Sequence, residues 1–213
     1  MRRATKTFTL GCSVLLFTAV VCGQEPVHDG TYWLQLSEDE QESFADGFLD
    51  CAGFYRLRQF CPKGGIRPKL LADLTFAFYY WDERFRSRPV RETFASYAEA
   101  ICCPTLAEDE DGEVYEGPHG FYVGEFWRAG LYGLKGKTAF VAGYLDCYQN
   151  VVEGELEFPR SAEEYAKELN RWYGFEEPDS IREGTEEVPI ADVLMKFGKP
   201  KGGGSQGQMG PRR

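Results

Sequence analysis

Apolar residues recur at three- and four-residue steps in six stretches of this chain, and five of those stretches open on a helix-start signal. In the first, Phe44, Gly47, Phe48, Cys51 and Tyr55 form one stripe. The Ser37-Glu-Asp-Glu40 capping box starts it, since the serine accepts from the third amide and Glu40 reaches back. A helix is predicted from there to about Phe60, ended by Cys61-Pro62 and Gly64-Gly65. Pro68 opens a second helix, with Leu70, Leu71, Leu74, Phe78, Trp81 and Phe85 on its predicted buried side. Proline suits a first turn because its missing amide has no partner there. Pro89 opens a third, with Val90, Phe94, Tyr97, Ala98 and Ile101 inward, stopping at Cys102-Cys103-Pro104. Residues 105–120 read as an acidic linker, with the run Glu108-Asp-Glu-Asp-Gly112 and the turn Gly117-Pro118. The aromatics Phe121, Tyr122, Phe126 and Trp127 follow, then a helix from about Lys137 to Val152. The Ser161-Ala-Glu-Glu164 capping box starts another, to about Tyr173, and after a polar stretch Pro189 opens a short last helix to Phe197.

The same phrase stands in both halves, 96 residues apart: Phe44-Ala-Asp-Gly47-Phe-Leu-Asp-Cys51 and Phe140-Val-Ala-Gly143-Tyr-Leu-Asp-Cys147. Its flanks match too, with His28-Asp-Gly30 and Trp33 before the first copy, and His119-Gly120 and Trp127 before the second. The pattern predicts an all-α fold of two duplicated three-helix units, 24–104 and 121–197, packed into one domain. Gly47 and Gly143 fall mid-helix, where glycine costs about 1 kcal/mol against alanine. Its recurrence points to close approach of another helix.

The termini change the picture of where the chain works. Arg2, Arg3 and Lys6 precede an apolar run from Phe8 to Val21, and residues 1–23 read as a signal peptide cleaved ahead of Gln24. The apolar run is too short for a permanent membrane span, and Val21 before Cys22 ranks a lipid anchor lower. The expected location is periplasmic or secreted. Residues 198–213 form a Gly-rich basic tail that cannot build a core and is predicted to be disordered. The chain carries a net charge of −10, and removing the three basic leader residues leaves 21 basic against 34 acidic, or −13. Such a surface repels phosphate backbones, which argues against nucleic acid and for basic partners.

Of seven cysteines, Cys51, Cys61, Cys102, Cys103 and Cys147 lie beyond the leader and are disulfide candidates in an exported chain. With no Cys-x-x-Cys pair and only His28 and His119, neither a metal nor another cofactor is expected. The order of elements is a Gly-aromatic-Leu-Asp-Cys helix, a Pro-led or Ser-capped aromatic helix, then a Pro-led helix. In the first half Cys61-Pro62 and Cys102-Cys103-Pro104 accompany it. This pattern resembles the Rap1a/Tai family over about residues 33–104 and, more weakly, 127–197. Those are small periplasmic helical immunity proteins that neutralise peptidoglycan-amidase effectors of type VI secretion. The resemblance implies that Cys61 pairs with Cys102 or Cys103, closing a loop of about forty residues worth roughly 3–4 kcal/mol. Tandem copies, the acidic linker and the missing second-half cysteines depart from that family.

Asp50 and Asp146 precede the two repeated cysteines and are the only catalytic candidates. Packed about a two-fold axis they could share a proton; otherwise each hydrogen-bonds within its own half. Cys51 and Cys147 read either as small apolar residues at a helix contact or as a bond between the halves. Arg84, Arg86, Arg88 and Arg91 are partners for Asp82, Glu83 and Glu92 or a carboxylate clamp. Aromatics make up 15% of the chain, and the cluster Phe76, Phe78, Tyr79, Tyr80, Trp81 exceeds what one stripe can hide. Trp33, Tyr80, Trp81, Trp127, Arg84 and Arg88 are therefore the binding candidates. The reading is an exported, non-enzymatic helical binding protein, immunity-like, taking a cell-wall-acting effector. The alternatives are a peptidoglycan- or glycan-binding module with exposed aromatics, and a hydrolase using Asp50 and Asp146. An apolar patch rimmed by acids marks the first, parallel aromatic faces the second, and paired carboxylates in a pocket the third.

Overall fold

Both capping boxes close in the computed structural model, which describes residues 28–60, 66–101, 122–128, 133–174 and 184–201. Ser37 caps α2 (Glu38–Phe54) and Ser161 caps α7 (Ala162–Tyr173), each with its third-position glutamate returning to the serine amide. The first half adds α1 (Gly30–Trp33), α3 (Pro68–Trp81) and α4 (Val90–Ile101). The second half adds α5 (Gly124–Arg128), α6 (Gly133–Asn150) and α8 (Ile190–Met195). The described residues are all-α apart from one antiparallel pair, β1 (Leu156–Glu157) with β2 (Lys199–Pro200). Among the described residues no helix is long and apolar enough to cross a membrane. The leader, the linker, His119, Cys61, Cys102 and Cys103 lie outside the described residues, and so does the tail beyond Lys201.

The core is built where α2 crosses α6. A Cβ added to Gly47 would stand 1.9 Å from the Phe140 carbonyl oxygen, and one added to Gly143 would stand 2.0 Å from that of Phe44. Each glycine therefore lets the other helix's backbone rest against it, at the two places where the sequence repeats. Around this crossing the two halves make matched contacts. Asp29 bridges Pro89 and Val123 bridges Pro189. The amide of Val90 donates to the His28 carbonyl at 2.8 Å, and that of Ile190 to the Tyr122 carbonyl at 2.9 Å. Tyr79 packs on Gly30 and Tyr173 on Gly124, leaving no room for a side chain at either glycine. Their hydroxyls donate to the carbonyls of Arg88 at 2.9 Å and Val188 at 3.1 Å.

Three expectations are corrected. Helix α2 ends at Phe54, short of Phe60, because Arg56 turns left-handed (φ 52°) and the Leu57 amide returns to the Ala52 carbonyl. A 3-10 turn, Arg58–Phe60, takes up the remainder. The buried face of α3 is Leu71, Ala72, Thr75 and Tyr79, about one residue out of phase with the stripe read from the sequence. Leu70, Trp81 and Phe85 lie exposed, as does Ile101 on α4. The Tyr79–Gly30 contact sets that phase. The tail's first residues are ordered: Lys199 and Pro200 pair with β1, and the Lys201 amide donates to the Glu155 carbonyl.

Candidate functional site

The register of α3 puts an aromatic group outside. Trp81 is 81% exposed, Tyr80 55% and Phe76 39%. Phe76 and Tyr80 are one turn apart and stack at 5.4 Å, and Trp81 stands edge-on to Tyr80 at 5.3 Å and 89°. The helix ends because Asp82 is extended and its carboxylate accepts from the Arg84 amide at 3.0 Å, capping the 3-10 turn Glu83–Phe85. That turn brings Phe85 back onto Phe78, stacked at 4.6 Å.

The arginine cluster beside this group is held by acids, one partner each. Arg84 grips Asp82 through Nε at 2.9 Å and Nη2 at 2.6 Å, with its guanidinium 5.9 Å from the Phe85 ring centre. Those hydrogen bonds hold the Asp82 carboxyl down at about 2. Arg86 pairs with Glu83 and Arg88 with Glu92, and Arg88 also donates to Ser96 and lies over Phe78. Arg91 leaves this surface and reaches Asp146.

The second half supplies an internal comparison. Residues of α3 and α7 correspond with an offset of 94. Leu71 and Tyr165, Ala72 and Ala166, Thr75 and Leu169, and Tyr79 and Tyr173 are all buried. On the outer face Phe76 corresponds to Asn170 and Tyr80 to Gly174, the C-cap of α7. The same backbone framework thus closes its core without aromatics at these outer positions. Trp81 corresponds to Phe175, which lies outside the described residues.

Trp33 and Trp127 are in the core, 0% and 2% exposed, and do not reach a surface. Trp33 meets Phe44 and Phe94 edge-on, and Trp127 meets Phe140. The Trp127 indole donates to Asn170 at 2.9 Å, and Lys137 donates to the same oxygen at 3.1 Å with its ammonium 5.2 Å from the Trp127 ring centre. Burial lowers the Lys137 amine to about 8.

The two aspartates are buried beside the helix crossing, and each engages the opposite half. Asp146 lies 3.5 Å from Arg91 Nη1 and 3.9 Å from His28 Nδ1, and accepts from Asn150 within its own half at 2.9 Å. Asp50 accepts from the Tyr122 amide at 3.3 Å, while the Tyr122 hydroxyl donates to Asp46. His28 and Tyr122 sit at corresponding positions, so the residue two places before each short first helix reaches across to the other half's carboxylate. The sequence reading matched His28 with His119 and so missed both partners, although His28 and Tyr122 stand at similar spacings, 16 and 18 residues, before the repeated phrases. Cys51 and Cys147 are both buried with free thiols and lie near enough to interact, Cys147 helping to push the Cys51 thiol up. Among the described residues no cluster of His, Cys, Asp and Glu is arranged to hold a metal ion.

No family model, curated protein or solved structure matches this chain.

Proposed function

We propose that this chain is an exported, non-enzymatic binding protein that takes a protein partner on the outer aromatic face of α3. The observation that carries this reading is the exposure of Phe76, Tyr80 and Trp81, the first two standing where the second half has Asn170 and Gly174. Exposed tyrosine and tryptophan offer large rigid area with a polar tip, the composition of interface hot spots. Asp73, Glu83 and Glu92 near this face are each paired with a lysine or arginine, so the expectation of a basic partner rests on the chain's net charge of −10. Ring geometry favours protein over glycan: Trp81 stands perpendicular to Tyr80, and the near-parallel Phe76–Tyr80 pair covers part of its own faces. An immunity-like role, with a cell-wall-acting effector as partner, extends this from the family resemblance. Descent of the two halves from one duplicated segment is part of the same reading, supported by their matched contacts.

The test places a photo-cross-linking residue at position 76 or, as control, at position 163 on α7, in the mature chain exposed to the native envelope fraction. Position 76 is expected to capture one protein that position 163 does not. Trp81→Ala is expected to weaken that complex at least 30-fold, the size of a 2 kcal/mol hot spot. Equal capture at both positions, or undiminished binding by W81A, refutes the reading. Loss of co-sedimentation with peptidoglycan in W81A would assign the face to glycan. An effector partner should lose wall-cleaving activity when mixed with the wild-type chain and keep it with W81A.

A further inference from the structure

Cys51 and Cys147 carry an inference independent of the aromatic face. They hold corresponding places in the two halves, 96 residues apart, and both are fully buried. Their contact follows from the helix crossing. Gly47 and Gly143 let the backbones of α2 and α6 touch, and one turn further each helix presents its cysteine to the other. A disulfide needs sulfurs about 2.05 Å apart and Cα atoms about 4.4–6.8 Å apart. Two buried thiols that interact with each other, one turn from touching backbones, are placed to meet that requirement.

We propose that Cys51 and Cys147 form a cross-linking site, oxidised by a disulfide donor to a single bond that staples the two halves at their crossing. The donor is a disulfide compound such as oxidised glutathione or a protein dithiol oxidant. One cysteine thiolate attacks the donor's S–S bond, releasing one donor thiol and leaving a mixed disulfide on the chain. The second cysteine attacks the first cysteine's sulfur and expels the other donor thiol. Two electrons and two protons pass to the donor, and one S–S bond is exchanged for another. Burial, then the neighbouring Cys147, then Asp50 and Asp146 push the Cys51 thiol well above its ordinary value. Thiolate is therefore scarce once the helices have closed, which slows oxidation in the finished fold.

The experiment uses the unmodified full chain. It is unfolded and reduced, refolded with oxidised and reduced glutathione, quenched in acid, alkylated and mapped as peptides by mass. A peptide joining Cys51 to Cys147 is expected to dominate. Natively folded reduced chain in the same buffer is expected to acquire it at least tenfold more slowly. Recovery of Cys51 and Cys147 as alkylated thiols, or joined to any of the other five cysteines, overturns the proposal. So does equally fast oxidation of the closed fold. In urea titrations, reduction of the bond is expected to lower the folding constant roughly a thousandfold, the effect of opening a loop near a hundred residues. C51A/C147A should lack that part of the sensitivity, and an equal sensitivity in the variant counts against the staple. Should the variant not fold, the peptide map of the natural chain decides alone.

Discussion

Replacing Gly47 with alanine tests the helix crossing on which the core depends. The new Cβ would lie 1.9 Å from the Phe140 oxygen, 2.7 Å from its carbonyl carbon and 3.0 Å from its Cα. Ordinary contact begins at 3.4 Å, so α6 must retreat by about 1.5 Å. No side-chain rotation relieves the clash, because all three atoms belong to helical backbone. A gap of 0.5–1 Å already forfeits about a quarter to a half of each dispersion well along the contact. We set the cost at the top of the overpacking range, about 3–4 kcal/mol, against which alanine's better helix propensity returns about 1 kcal/mol. The net loss of about 2–3 kcal/mol should lower the urea midpoint by roughly 1–1.5 M, followed by circular dichroism, for a slope near 2 kcal/mol/M. Gly143→Ala meets the Phe44 oxygen at 2.0 Å and should cost the same within about 1 kcal/mol. The double variant should lose less than the sum, since helices already parted admit the second methyl more easily. A raised midpoint in G47A would mean that only propensity was felt, and the close crossing would be refuted.

Three further outcomes follow. Lys137 has its amine lowered to about 8 in the fold against an ordinary 10.5, so the unfolded chain binds more protons between those values. Stability should therefore rise from pH 8 to 10.5 in wild type relative to K137M, measured by paired urea midpoints, and a flat difference refutes the assignment. Arg91→Ala strips the cation from a carboxylate that is 3% exposed and should cost about 3 kcal/mol, with D146A adding less than its own single effect in a double-mutant cycle. W81A should change stability by less than about 0.5 kcal/mol, because its ring is mostly in water, whereas W33A should cost about 3–5 kcal/mol by thermal unfolding.

Much of the candidate site was legible in residue order, though not its exact face. The crowd of aromatics from Phe76 to Trp81 outnumbered the places on one buried stripe, which correctly predicts an exposed remainder. Which ones emerge depended on a shift of about one residue in phase. Leu70, Leu74, Phe78 and Trp81 fit helical spacing as well as Leu71, Thr75 and Tyr79 do, and side-chain hydrophobicity favours the former. Tyr79 wins because its ring covers Gly30, far back in the chain, and its hydroxyl reaches the Arg88 carbonyl beyond the end of α3.

Sequence alone determined what acts over a few residues. Ser37 and Ser161 meet their glutamates three positions on, and prolines open α3 and precede α4 and α8. These are local steric and hydrogen-bond rules, complete within one turn. Tertiary structure decided what needs two distant segments in one place. It buried Trp33 and Trp127, gave Asp146 to Arg91 and Asp50 to Tyr122, and set Cys51 against Cys147. A buried charge or thiol takes its character from whichever neighbours the fold delivers, and in this chain those neighbours come from the other half.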